Sequence, residues 1–299
     1  LTPRDRECFH RDQLVRAAAW RLTSVAVGPA PVPVPAARST PPSQARTRKA
    51  TAAAGTAPAD PLALPALAMG ASALSGFCAL VYEVFWTRLV ALVVGPTTYA
   101  FATVVASFIV GLALGASGGA RLVSRVRRPG AWLAGTLVVA AVASSVAGWF
   151  TAARMPLIVA GQVAAVDASF GPVLTRQVLA IVGLLLPMTL ALGAAFPFAL
   201  AMATAKGSDV GRRVAAVYGV NTVGGILGSL AGGFVLLPWL GLRSGLLVTA
   251  VVGLVGAAVV WVIEHRAHGG RGGWMVLARR GAALAAGGTV LVALPTWDL

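Results

Sequence analysis

Gln177-Val-Leu-Ala-Ile-Val-Gly-Leu-Leu-Leu-Pro187-Met-Thr-Leu-Ala-Leu-Gly193-Ala-Ala-Phe-Pro197-Phe-Ala-Leu-Ala-Met-Ala-Thr-Ala205 contains no charged side chain. As a helix it exceeds the ~20 residues that cross the ~30 Å hydrocarbon core of a bilayer. Further uncharged stretches run Leu62 to Tyr82, Thr97 to Ala120, Pro129 to Ala153, Val214 to Leu242, Ser244 to Ile263 and Gly281 to Trp297. The chain as a whole is 58% hydrophobic and 11% charged, with a mean hydropathy of +0.82, whereas soluble domains average about 45–50% apolar and about 25% charged residues. So few polar residues cannot cover seven long apolar helices from water. The expected fold is therefore all-α: a polytopic transmembrane helix bundle of about seven crossings, within a range of six to eight.

The net charge of +15 invites a nucleic-acid reading, which the positions of the basic residues argue against. They gather in short loops: Arg121, Arg125, Arg127 and Arg128; Lys206, Arg212 and Arg213; Arg266, Arg271, Arg279 and Arg280. The intervening loops hold only Arg154 and Arg176, and then Arg243. By the positive-inside rule the rich loops are cytoplasmic. The arginine-rich N-terminus falls on the same side, so the partner expected of this surface is a lipid bilayer, with no nucleic acid.

Residues 1–60 mix Arg, Pro, Ala, Ser and Thr, including Pro29-Ala-Pro31-Val-Pro33-Val-Pro35. Such a composition buries too little apolar surface to offset its ordering entropy, so a disordered cytoplasmic tail (1–60) precedes a transmembrane domain (61–299). A transit peptide is the rival reading, weakened by Asp5, Glu7 and Asp12. Cys8 and Cys78 are too few for a disulfide framework or a zinc site, and no strand, glycine-rich turn and helix unit for a nucleotide occurs. No cofactor, metal or catalytic residue is expected in this chain.

Apolar character in the first element continues past Glu83 and Arg88 to Gly95-Pro96. Either a crossing ends near Glu83 and an interfacial helix follows, or one tilted helix holds both charges at membrane depth. The second and third crossings form a hairpin closed by the arginine-rich turn. Pro156 to Val166 is too short to span and rests on the membrane surface or against the bundle. Pro187 and Pro197, with Gly193 between, predict a bend in the fourth crossing near Pro187. Gly111, Gly115 and Gly119 make a small-residue ridge on the second crossing. On the fifth, Gly224, Gly228 and Gly232 make another, beside Gly225, Ser229 and Gly233. In lipid such ridges permit close backbone approach, either within one bundle or, less favoured, across a dimer. An odd number of crossings places the C-terminus outside, unless Gly281 to Trp297 is re-entrant or interfacial.

Glu83 is the one acid expected at membrane depth, where a charge is expensive and points to function; the alternative is a headgroup-level position beside Tyr82 and Trp86. Arg88, five residues on, stands about 140° round the helix and is not its local partner. Tyr218, Asn221 and Thr222 form a polar group at the start of the fifth crossing, suited to interhelical hydrogen bonding or to a substrate contact. The candidate functional residues are Glu83, Arg88 and Asn221.

Ser75-Gly-Phe-Cys-Ala-Leu-Val-Tyr82-Glu83-Val-Phe-Trp86-Thr-Arg88, Thr98-Tyr-Ala-Phe101, Gly111-Leu-Ala-Leu-Gly115, Phe196-Pro197-Phe-Ala-Leu200, Tyr218-Gly-Val-Asn221-Thr-Val-Gly-Gly-Ile-Leu-Gly228 and Leu236-Leu-Pro238-Trp-Leu-Gly241-Leu-Arg243, in this order, resemble the membrane half of bacterial fused spermidine synthase-like proteins. The resemblance covers about Leu62 to Leu299. It implies a multi-spanning domain, distantly similar to the major facilitator superfamily, in a bacterial inner membrane. In that family a soluble aminopropyltransferase domain follows, using decarboxylated S-adenosylmethionine, and Pro295-Thr-Trp297-Asp298 resembles the junction before it. The expectation is thus a chain stopping short of the catalytic half: an anchor or transport module for polyamine metabolism, whose partners are the missing enzyme domain and a polyamine or related small molecule. The loop from Gly118 to Arg128 is similar to the facilitator loop after its second helix but lacks that motif's aspartate. A stand-alone secondary transporter of facilitator-like type, coupled through Glu83, is the alternative.

Overall fold

A computed structural model of the chain describes residues 64–164, 169–204 and 209–267. The tail 1–60, Asp167, Lys206, the arginines from Arg271 onward and the stretch Gly281 to Trp297 lie outside the described residues, within which every regular element is helical. These are α1 (Pro65–Val94), α2 (Thr98–Val123), α3 (Pro129–Ala153), α4 (Met155–Ala164), α5 (Phe170–Ala203), α6 (Val210–Ala231), a π-helical turn (Gly232–Leu236) and α7 (Leu237–Ala267).

The helix boundaries follow from local chemistry. Pro65 and Pro129 open α1 and α3, where a missing N–H has no intrahelical partner to lose. Thr97 caps α2 by accepting a bond from the Ala100 amide at 3.1 Å, satisfying one orphan donor of the first turn. Gly95 (φ 109°, ψ 152°) ends α1, and Gly241 (φ 73°, ψ −179°) interrupts α7. Both conformations belong to a region essentially reserved for glycine.

Five continuous helical stretches are long and apolar enough to cross a membrane, the last being Val210–Ala267 with 58 residues. That stretch is two passes. Along α1, the α6 side lays Gly224 on Ala73, Gly228 on Phe77 and Gly232 on Val81, while beyond Gly241 the order reverses, with Gly245 on Phe85 and Gly256 on Leu74. The chain therefore climbs α1 before Gly241 and descends it afterwards.

The remaining contacts agree with a single alternation of direction. The α2 glycines 111, 115 and 119 meet Thr189, Leu190 and Ala194 in ascending order, so α2 and α5 are parallel. In α3 and α7 the order is opposed, Gly130 meeting Glu264 and Gly148 meeting Leu246. The amide of Leu64 donates to the carbonyl of Met202 at 3.2 Å, and the Arg213 Nη1 donates to the carbonyl of Ala203 at 3.0 Å. One end of the bundle thus collects Arg121, Arg125, Arg127, Arg128, Arg212, Arg213 and Arg266. Arg154, Arg176 and Arg243 are at the other.

Two apolar clusters fill the interior. Ala68, Leu133, Leu137, Phe198, Met202, Val217 and Val260 pack toward the arginine-rich end. Tyr82, Phe85, Trp86, Leu89, Phe108, Leu185, Met188 and Leu246 occupy the middle and the other end. The outer surface is also apolar: Ile109, Leu114, Leu179, Phe234 and Trp239 are exposed, Trp239 at 82%. Long helices with apolar exteriors suit contact with a lipid bilayer, and the molecule is a membrane-embedded helix bundle.

The structure selects between the two readings of the first element and moves one boundary. α1 is one unbroken helix of 30 residues through Glu83 and Arg88, not a crossing followed by a separate interfacial helix. α5 begins at Phe170 and runs 34 residues, so Arg176 is on a helix instead of in a loop; an exposed arginine near a helix end does not terminate it. Pro187 and Pro197 both lie inside α5. The short helix α4 overlaps the piece Pro156 to Val166, starting one residue earlier.

Candidate functional site

α1 and α6 touch through glycine. A β-carbon at Gly76 would fall on the Asn221 carbonyl oxygen, and one at Gly224 on that of Ala73. The same is true of α2 and α5, where a β-carbon at Gly115 would strike the Leu190 carbonyl oxygen and one at Gly193 that of Leu112. Between these two parallel pairs lies a groove of about 480 Å³, within the ~300–1,000 Å³ typical of small-molecule sites.

Ser75, Gly76, Ala79 and Leu80 of α1 form one wall and Asn221, Thr222, Gly225 and Ser229 of α6 another; Leu112, Ala116, Leu192, Gly193 and Phe196 close it from α2 and α5. No charged side chain is among these. The Thr222 hydroxyl donates to the Tyr218 carbonyl at 3.0 Å and the Ser229 hydroxyl to that of Ile226 at 2.9 Å. Their protons are thereby committed, and their lone pairs remain acceptors. Asn221 adds an amide with donors and an acceptor. The Phe196 ring meets the Tyr218 ring edge-on, with centroids 6.3 Å apart. A wall of acceptors and one amide can hold a polar group by hydrogen bonds. No nucleophile and base pair is present for covalent chemistry.

Glu83 is half-buried on α1, and its backbone carbonyl accepts the Thr87 hydroxyl at 2.7 Å. At 100° per residue, Gly76, Leu80 and Glu83 share one face of α1, so Glu83 follows the groove wall one turn further from the arginine-rich end. Asn221 and Glu83 are brought to the same side of the bundle, and exposed Arg88 stands off that face. The glycine candidates have a separate role. Gly111, Gly115 and Gly119 pack on α5, and Gly224, Gly228 and Gly232 on α1. The second ridge of α6 has the opposite character: Gly225 and Ser229 line the groove, and a β-carbon at Gly233 would meet open space.

Glu264, one residue past the Ser244 to Ile263 stretch, is not among the acids expected at membrane depth, where Glu83 stands alone. It belongs to α7 and is 3% exposed, its carboxyl carbon 2.9 Å from where a Gly130 β-carbon would stand. The sole available signal was helical phase: Val260 and Ala257, one and two turns earlier, are both buried. Among the described residues no group of three His, Cys, Asp or Glu side chains could hold a metal ion.

No family model, curated protein or solved structure matches this chain.

Proposed function

We propose that this chain is the membrane module of a spermidine synthase-like fusion protein, a polyamine-handling domain seated in a bacterial inner membrane. One observation supports the reading above others. Four of the six segments that carry the resemblance contribute to the groove: the first through Ser75, Gly76, Ala79 and Leu80, the third through Leu112, the fourth through Phe196, and the fifth through Asn221, Thr222, Gly225 and Ile226. The packing of α1 on α6 and of α2 on α5 brings these segments, up to about 150 positions apart in sequence, to one groove. In this reading the groove receives an amine-bearing small molecule through the Asn221 amide and the hydroxyls of Ser75, Thr222 and Ser229. The arginine-rich end faces the cytoplasm with the N-terminus. Gly281 to Trp297 would bring the crossings to seven, and an aminopropyltransferase domain would be the partner of the whole.

A second reading, a stand-alone secondary transporter, is favoured by Glu83, whose place on the groove face of α1 suits an ion-coupling carboxylate. The two readings separate in proteoliposomes containing the full chain and radiolabelled spermidine. The module reading expects saturable binding, weakened roughly tenfold by Asn221→Leu for one lost hydrogen bond to a cation, with no net uptake. Uptake above empty vesicles that vanishes with Glu83→Gln would establish the transporter instead. Absence of both binding and uptake would contradict each.

A further inference from the structure

A second crevice lies on the outside of the bundle, between α3 and α5, and shares no lining residue with the groove. Its volume is about 630 Å³, and its walls are Trp132, Gly135 and Val139 on one side and Pro187, Leu190 and Ala191 on the other. Trp132, Gly135 and Val139 recur at i, i+3 and i+7, a single stripe of α3, and Arg128 precedes the helix four residues before Trp132. Arg128 occupies the N-cap position of α3 without a capping bond from its side chain, and Arg127 precedes it, exposed. The stripe therefore runs from guanidinium groups, through a tryptophan, to purely apolar surface.

Its length discriminates among occupants. Ten helical steps separate Pro129, the first residue of α3, from Val139, ~15 Å at 1.5 Å each, about half the ~30 Å hydrocarbon thickness. That is the depth of one leaflet. Trp132 is 46% exposed and stacked on Phe198 with centroids 5.9 Å apart, the interfacial position favoured by an aromatic with one apolar and one polar edge. Gly135 makes the hollow: a β-carbon there would meet nothing within 4 Å. Glu264 lies against Gly130 and is buried, some 160° round the α3 axis from Trp132, so it does not face the stripe.

We propose that this crevice is a binding site for one anionic phospholipid of the leaflet at the arginine-rich end, its phosphate held by Arg127 and Arg128 and one acyl chain seated over Gly135. The proposal requires only that the bundle lies in a bilayer, and is independent of what the α1, α2, α5 and α6 groove binds.

Native mass spectrometry of the full chain, titrated with phosphatidylglycerol or phosphatidylcholine of matched acyl chains, tests it. Phosphatidylglycerol is expected to be retained preferentially. Replacing Arg127 and Arg128 by glutamine should weaken it about fivefold per arginine, to the phosphatidylcholine level, while the same changes at Arg121 and Arg125 leave it intact. Gly135→Leu places a side chain in the crevice from a position where the β-carbon meets nothing within 4 Å and should lose both lipids, with a lipid-free melting temperature no lower than that of the unaltered chain certifying the fold. Equal retention of the two lipids, undiminished phosphatidylglycerol binding by Gly135→Leu, equal loss at the Arg121 and Arg125 pair, or displacement by soluble glycerol phosphate would each overturn the proposal.

Discussion

Gly115 and Gly118 stand three residues apart on α2, yet a methyl group has opposite consequences at them. At Gly115 it would coincide with the Leu190 carbonyl oxygen, a backbone atom that cannot swing aside; at Gly118 it would meet nothing within 4 Å. Overpacking at a close helix contact costs roughly 1–3 kcal/mol, whereas relief of glycine's backbone freedom at an open helical site stabilises by up to about 1 kcal/mol. Gly115→Ala is accordingly expected to lower the unfolding midpoint in detergent, and Gly118→Ala to leave it level or raise it. Equal shifts would mean that α2 and α5 are not in this register. The existence of such ridges was legible from four-residue spacing alone, but which ridge of α6 packs was not. Gly224 and Gly225 differ by one step of 100°, and sequence has no marker for which direction α1 lies in. The burial of Glu264 was hidden for a similar reason. Charge in a run such as Glu264-His265-Arg266 reads as a loop until the inward face of the helix is known.

At the level of elements, the boundaries owe much to residues that allow only one backbone path. Gly241 holds φ 73° and ψ −179°, and a side chain there is strained by about 1–3 kcal/mol. Gly241→Ala should therefore destabilise the bundle by that amount although no atom crowds the site. Circular dichroism melts against Gly211→Ala, a glycine with equally open surroundings and no positive φ, would isolate the backbone contribution; identical melts would contradict it. The sequence reading divided Val214 to Leu242 from Ser244 to Ile263 at Arg243, within two residues of this break, because a charge interrupts an apolar run. It misplaced the start of α5 by seven residues for the same reason, since Arg176 interrupts apolar character without ending the helix. The π-helical turn at Gly232–Leu236 had no sequence signature. Its first residue, Gly232, lies against Val81 and Val84 of α1, a neighbourhood that only the tertiary structure supplies.

For the molecule as a whole, direction is the property that orders everything else. Apolar length and alternating arginine loops announced a membrane bundle and its two ends. They left undetermined that α1 pairs with α6 and α2 with α5, helices far apart in the chain, and hence left the groove between those pairs undetermined too. Asn221 and Glu83 were recognisable as polar residues in apolar surroundings, but their shared side of the bundle was not. The central claim is that the described helices pass alternately through a bilayer with every arginine-rich loop on the cytoplasmic side. It is tested most directly by placing single cysteines at Ser124, Gly211, Gly161 and Ser244, all exposed, in a background lacking Cys8 and Cys78, and treating intact spheroplasts with a membrane-impermeant maleimide. The account predicts labelling at Gly161→Cys and Ser244→Cys, with Ser124→Cys and Gly211→Cys labelled only after the membrane is opened. Labelling of all four from outside, or a reversed pattern, would contradict it.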